Sequence, residues 1–111
     1  MNKELREKCK IIVAYNTIDN IEVIAIEELA ELIQAIVKKR RWNQDDESLR
    51  QNSIEIENNL YEEMADVYIL LEQLKYLNCM SDDVINRVIK QKLNRTYEVL
   101  GIKEEKDWKA I

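Results

Sequence analysis

A chain of 111 residues with 46% hydrophobic and 35% charged side chains, no proline and one glycine, Gly101, reads as a single small domain, residues 1–111, made of helices. Its scarcity of turn residues argues against a sheet protein, and a net charge of −5 argues against a broad basic surface for long nucleic acid. Histidine is absent, which removes the usual general base and the commonest metal ligand, and one glycine is too few for a P-loop.

The first helix is expected from about Lys3 to Tyr15, with Leu5, Cys9, Ile12 and Val13 turned inward. After a short connection, Asp19 reads as an N-cap with Glu22 as its capping-box partner. Ile18 and Val23 then form the hydrophobic staple of a second helix that ends near Arg41. Residues 42–52 are polar apart from Trp42 and Leu49 and read as a loop of the kind that carries function or lacks order. Asn52 or Ser53 caps a third helix to about Leu77, whose Leu60, Met64, Val67, Leu71 and Leu74 step like a bundle seam. Ser81 caps a fourth helix with Asp82 and Asp83 at its positive end. Ile85, Val88, Ile89 and Leu93 face inward, and Gly101 with Ile102 closes it. The tail, about 102–111, is charged except for Ile102, Trp108, Ala110 and Ile111. The expected fold is an all-α, four-helix bundle-like domain completed by oligomerisation.

Cys9 and Cys79 are isolated and read as reduced thiols. No apolar run approaches the roughly 18 residues of a membrane span and no charged-then-apolar leader opens the chain, so the expectation is a soluble, cytoplasmic protein.

Two acidic pairs carry the chemistry. Glu28 and Glu31 lie three apart, as do Glu63 and Asp66, so each pair shares a helix face. The faces are apolar. Glu28 is flanked by Ile21, Ile24, Ala25, Leu32 and Ala35, and Glu63 by Ile56, Leu60, Val67 and Leu70. A carboxylate set among core residues must be neutralised, paired or bound to metal. Four hard oxygen donors on two facing helices suit magnesium, which binds carboxylates together with substrate phosphates. Such a centre suits phosphoanhydride hydrolysis. Glu27 and Glu62 are neighbouring acids that offer an extra ligand or a water-orienting group. Lys38, Lys92 and Arg95 are candidate phosphate partners, and Trp42 is a candidate base platform. The competing readings are helix-terminal charge, surface ion pairs and packing.

At these residues the chain resembles the MazG-like, all-alpha nucleoside triphosphate pyrophosphohydrolases. That family carries an EExxE motif on one helix and an ExxD motif on a later one. Here they read Glu27-Glu28-Leu29-Ala30-Glu31 and Glu63-Met64-Ala65-Asp66, and the likeness spans roughly residues 15–100. The resemblance implies a short, single-domain member that binds Mg2+, with Mn2+ as a substitute, through Glu28, Glu31, Glu63 and Asp66. It implies cleavage of a nucleoside triphosphate between the α- and β-phosphates, and a homodimer or homotetramer. Lys92 and Arg95 resemble the basic residues of the last helix more loosely. The glutamine that many relatives carry before the first motif is missing, for the stretch reads Asn20-Ile21-Glu22-Val23. The reading from a different class is a helical interaction module whose acids form interhelical ion pairs.

Overall fold

A computed structural model describes residues 1–43 and 53–103. Among them are four α-helices and no strand: α1 Lys3–Ala14, α2 Ile18–Asn43, α3 Ser53–Leu77 and α4 Asp82–Leu100. The all-α class read from the sequence is the observed one. Most of the expected polar loop, the Asn52 cap and the tail's Trp108 and Ile111 lie outside the described residues. Trp42 and Asn43 belong to α2, so that helix runs past the expected end at Arg41. No helix among the described residues is long and apolar enough to cross a membrane.

The chain divides into two compact units, Met1–Cys79 and Met80–Ile111. In the first, α3 packs against both α1 and α2. Asn2 caps α1 by accepting the Leu5 N–H at 2.9 Å. Of the residues expected to face inward, Cys9 is buried and Val13 half-buried, whereas Leu5 and Ile12 are exposed. A 12-residue helix packed against one neighbour covers only a narrow stripe. Arg6 reaches Glu72 of α3 at 3.9 Å, and Glu72 also binds Lys75, which is itself buried.

The cap of α2 is Thr17, not Asp19. Thr17 Oγ1 accepts the Asn20 N–H at 3.2 Å, and Asn16 Oδ1 accepts the Thr17 N–H at 2.8 Å. Threonine caps as readily as the acid two residues on, and the asparagine before it orients the turn. Asp19 instead occupies the first turn, where its charge suits the dipole. The Ile18–Val23 staple goes with the misplaced cap, since both side chains are exposed.

The α2–α3 interface buries Ile21, Ala25 and Ala35 from one helix and Ile56, Val67 and Leu70 from the other. All six are among the flanks expected around Glu28 and Glu63; of the others, Leu32 and Leu60 are half-buried and Ile24 is exposed. Of the expected seam, Val67 is buried and Leu60 and Leu74 are half-buried, whereas Met64 and Leu71 are exposed. The buried positions of α3 run through 56, 67 and 70, and Leu71 stands at the edge of that face, about 100° round the helix from Leu70. Burying each isoleucine stabilises by roughly 1.5–3 kcal/mol. Ala25 and Ala35 matter for the opposite reason, since their small side chains let two helix axes approach closely. Ala35 is 2% exposed. Ala35→Leu is therefore expected to overpack the interface and destabilise by about 1–3 kcal/mol, read as a lower denaturant midpoint at unchanged slope.

In the second unit, Ser81 Oγ accepts the Val84 N–H at 3.4 Å, and Asp82 and Asp83 occupy the first turn of α4. Gly101 ends the helix at φ 71°. The Ile102 N–H reaches the Tyr97 carbonyl at 2.9 Å and the Gly101 N–H reaches that of Glu98 at 3.2 Å. This is a Schellman closure that needs the left-handed residue glycine supplies. Both caps are where the sequence puts them. The expected inward face is not realised: Ile85 is half-buried, while Val88, Ile89 and Leu93 are exposed. Among the described residues α4 is the only helix of its unit, so nothing within the unit covers that stripe.

Candidate metal centre

Glu28 and Glu31 leave α2 one turn apart between Ala25 and Ala35, and Glu63 and Asp66 leave α3 between Ile56 and Val67. The helices run antiparallel, so Glu28 faces Asp66 and Glu31 faces Glu63. One carboxylate oxygen from each of the four lies within 4.8 Å of all the others. Glu28, Glu63 and Asp66 are half-buried and Glu31 is exposed, so the cluster is rooted in the interface and open at one end.

The electrostatics are those of an uncompensated site. Glu28 Oε2 and Glu63 Oε2 are buried without a hydrogen-bond partner. No lysine or arginine pairs with any of the four among the described residues. Ion pairs of the first unit lie elsewhere, among them Glu4–Lys8, Arg6–Glu72 and Glu72–Lys75. Burial, then the facing Asp66 and Glu31 carboxylates, push Glu28 up to about 7. Burial, then Glu31 and Asp66, also raise Glu63 above the usual carboxylate range. Charged acids this close repel unless a proton or a cation sits among them. Four oxygen donors without nitrogen or sulfur match the preference of a hard divalent cation.

The other sequence candidates divide. Lys38 comes to the centre, where it lines a cavity of about 250 Å³ together with Glu31, Gln34, Asn59 and Glu63. Trp42 does not line that cavity. It is half-buried on the last turn of α2, with Lys39 Nζ 4.6 Å from its ring centroid. Glu27 and Glu62 are exposed and outside the cluster, one residue off the face that carries it. Lys92 and Arg95 stand exposed on α4, in the second unit. Arg40 and Arg41 sit in the last turn of α2, where positive charge suits the dipole. Cys9 and Cys79 are free thiols.

Gln34 and Asn59 are the additions the sequence reading missed, although a signal was there. Gln34 is three residues after Glu31 and Asn59 four before Glu63, so extending each acidic face by one turn reaches both. On the other side of the cluster a second cavity, of about 180 Å³, is lined by Glu28, Asp66, Asn16 and Gln73 with apolar neighbours. Gln73 lies two turns beyond Asp66. Asn16 sits in a connection where no periodicity points. Comparison with protein-family models, with curated proteins and with solved structures finds no match to this chain.

Proposed function

We propose that this protein is a divalent-metal-dependent nucleotide pyrophosphohydrolase of the MazG-like, all-alpha kind. The observation that carries the reading is the convergence of Glu28, Glu31, Glu63 and Asp66 from two helices with no lysine or arginine paired to them among the described residues. An interaction module held by interhelical ion pairs would be expected to place a lysine or arginine there.

The residues fit magnesium, with manganese as a substitute. The four acids would hold it, and the two orphaned oxygens of Glu28 and Glu63 are atoms that a ligand would satisfy. When bound, the cation supplies positive charge to phosphate oxygens and makes an attacking water more acidic. The chain's own residues do the rest. The antiparallel acids fix where the reacting phosphorus sits. Lys38, with the amides of Gln34 and Asn59, faces the cavity beside Glu31 and Glu63 and suits the outer phosphates of the substrate. Without metal the raised Glu28 holds a proton near neutral pH, and on ionising it joins the other three acids as a ligand. Lys92 and Arg95 belong to the same reading as further phosphate partners.

A homodimer or homotetramer completes the picture. Ile26, Ile33, Ile36 and Val37 of α2 are all at least half exposed or close to it, at 69, 62, 51 and 47%. That much open apolar surface on one helix suits a partner subunit. A cytoplasmic location fits the reduced cysteines.

The test is phosphorus NMR of the purified protein with a panel of nucleoside triphosphates, with and without magnesium. Magnesium-dependent appearance of nucleoside monophosphate and pyrophosphate supports the reading. Diphosphate with free phosphate would mean a different bond is cut. No turnover by folded protein would shift the assignment to the interaction module.

A further inference from the structure

We propose that Gln73 reads the base of the nucleotide, in the cavity on the Glu28–Asp66 side of the acidic cluster. The inference rests on the nucleotide reading above and adds the residue that sets which base is accepted.

Gln73 is only 7% exposed, yet its side chain makes no hydrogen bond to any described residue. A primary amide is a donor and an acceptor side by side, and here neither group is engaged by a described residue. Its polar atoms are not among those sealed off in the interior, and the residue lines the 180 Å³ cavity, so the amide opens onto that space. Ile12, Ile24 and Ile69 give the cavity apolar walls. Asn16 stands at the same cavity. Its Oδ1 is engaged by the Thr17 N–H, which leaves its amide hydrogens for a ligand.

Size and position choose the occupant. The space is below the roughly 300–1,000 Å³ of pockets that enclose a whole drug-sized ligand. It suits one part of a larger molecule. The part must be flat or apolar enough for isoleucine walls and must present paired donor and acceptor groups to an amide. A heterocyclic base does both. Glu28 and Asp66 border the cavity and also belong to the acidic cluster, so a ligand seated here continues directly into the metal centre. The phosphate-suited cavity with Lys38 opens at the opposite, Glu31–Glu63 end. Base, reacting phosphate and outer phosphates therefore follow one line along the α2–α3 interface.

The decisive experiment is calorimetric binding of the α,β-imido analogues of uridine, cytidine, adenosine and guanosine triphosphates with magnesium. Magnesium tripolyphosphate serves as the probe without a base. The wild type should rank the four bases over at least about tenfold, the size of one hydrogen bond made in a desolvated site. Gln73→Leu should compress that ranking to within about threefold and bind tripolyphosphate as the wild type does. Gln73→Met, closer in shape, should do the same if the leucine variant packs poorly. A ranking that survives in both variants, or a wild type with no ranking, overturns the role of Gln73 while nucleotide and tripolyphosphate binding leaves the metal centre standing. A folded wild type that binds neither nucleotide nor tripolyphosphate overturns both readings.

Discussion

Glu63→Gln is expected to lower magnesium-dependent turnover by at least about 10²–10³-fold, the scale of losing one preorganised electrostatic group at the reacting centre. The variant should remain folded. Glu63 is one of two acids in the cluster whose outer oxygen is buried without a partner. Removing its charge relieves repulsion with Glu31 and Asp66. The metal-free variant should therefore melt higher than the metal-free wild type. Glu62→Gln is the control. Glu62 is the adjacent residue in sequence but is exposed and outside the cluster. Its rate should stay within a few-fold of wild type, the usual range for a surface substitution. Steady-state rates and melting curves for the two variants separate a role in the centre from a general effect of acidity on α3. Equal losses at both positions would mean that net charge, not the cluster, supports activity.

The second large effect is a pH dependence that magnesium reverses. Glu28 ionises in the folded protein at about 7 because burial and the facing Asp66 and Glu31 oppose its charge. In the unfolded chain it ionises near the ordinary carboxylate value, roughly 4.3. Between these values the folded state binds the extra proton, so metal-free stability falls as pH rises. The proton's contribution is complete below about pH 4 and is lost as pH passes through about 7. Glu63, raised by the same causes, adds in the same direction. Lys38 and the two amides at the Glu31–Glu63 end do not cancel this, because among the described residues neither Lys38 nor any other cation pairs with the acids. Magnesium requires the ionised ligands, so its binding strengthens over the same interval. At a hundredfold excess over its dissociation constant it stabilises by about 2.7 kcal/mol. Melting temperatures taken from pH 5 to 8 should decline without metal and hold or rise with millimolar magnesium. Parallel curves with and without the metal would contradict the account.

How much of this was legible in the sequence differs by element. Ser81 and Gly101 announced both ends of α4, because a capping hydroxyl and a left-handed glycine act through the backbone next to them. Thr17 was passed over for Asp19, since two good capping residues two positions apart cannot be ranked without the geometry of the turn. The acids were legible for a stronger reason. Glu28 and Glu63 interrupt stripes of Ile21, Ala25, Ile56 and Val67, and an acid inside a buried stripe is costly enough to demand an explanation. The bundle seam held at Val67 and missed at Met64 and Leu71 because both it and the stripe through Ile56 and Leu70 obey helical spacing. Only the partner helix decides between them. Gln73 was invisible for a related reason. Glutamine on a helix is ordinarily solvated, and its burial arises from α1 and α2 closing over α3.

The central claim is that the four carboxylates of α2 and α3 take up a divalent cation, and manganese reports on it directly. Titration of the protein with Mn2+, followed by loss of the free-ion electron paramagnetic resonance signal, should show saturable uptake that magnesium displaces. Uptake should weaken sharply in Glu28→Gln and Glu63→Gln and be unchanged in Glu62→Gln. Saturable binding that ignores the first two substitutions, or no uptake at millimolar manganese by folded protein, would contradict the claim.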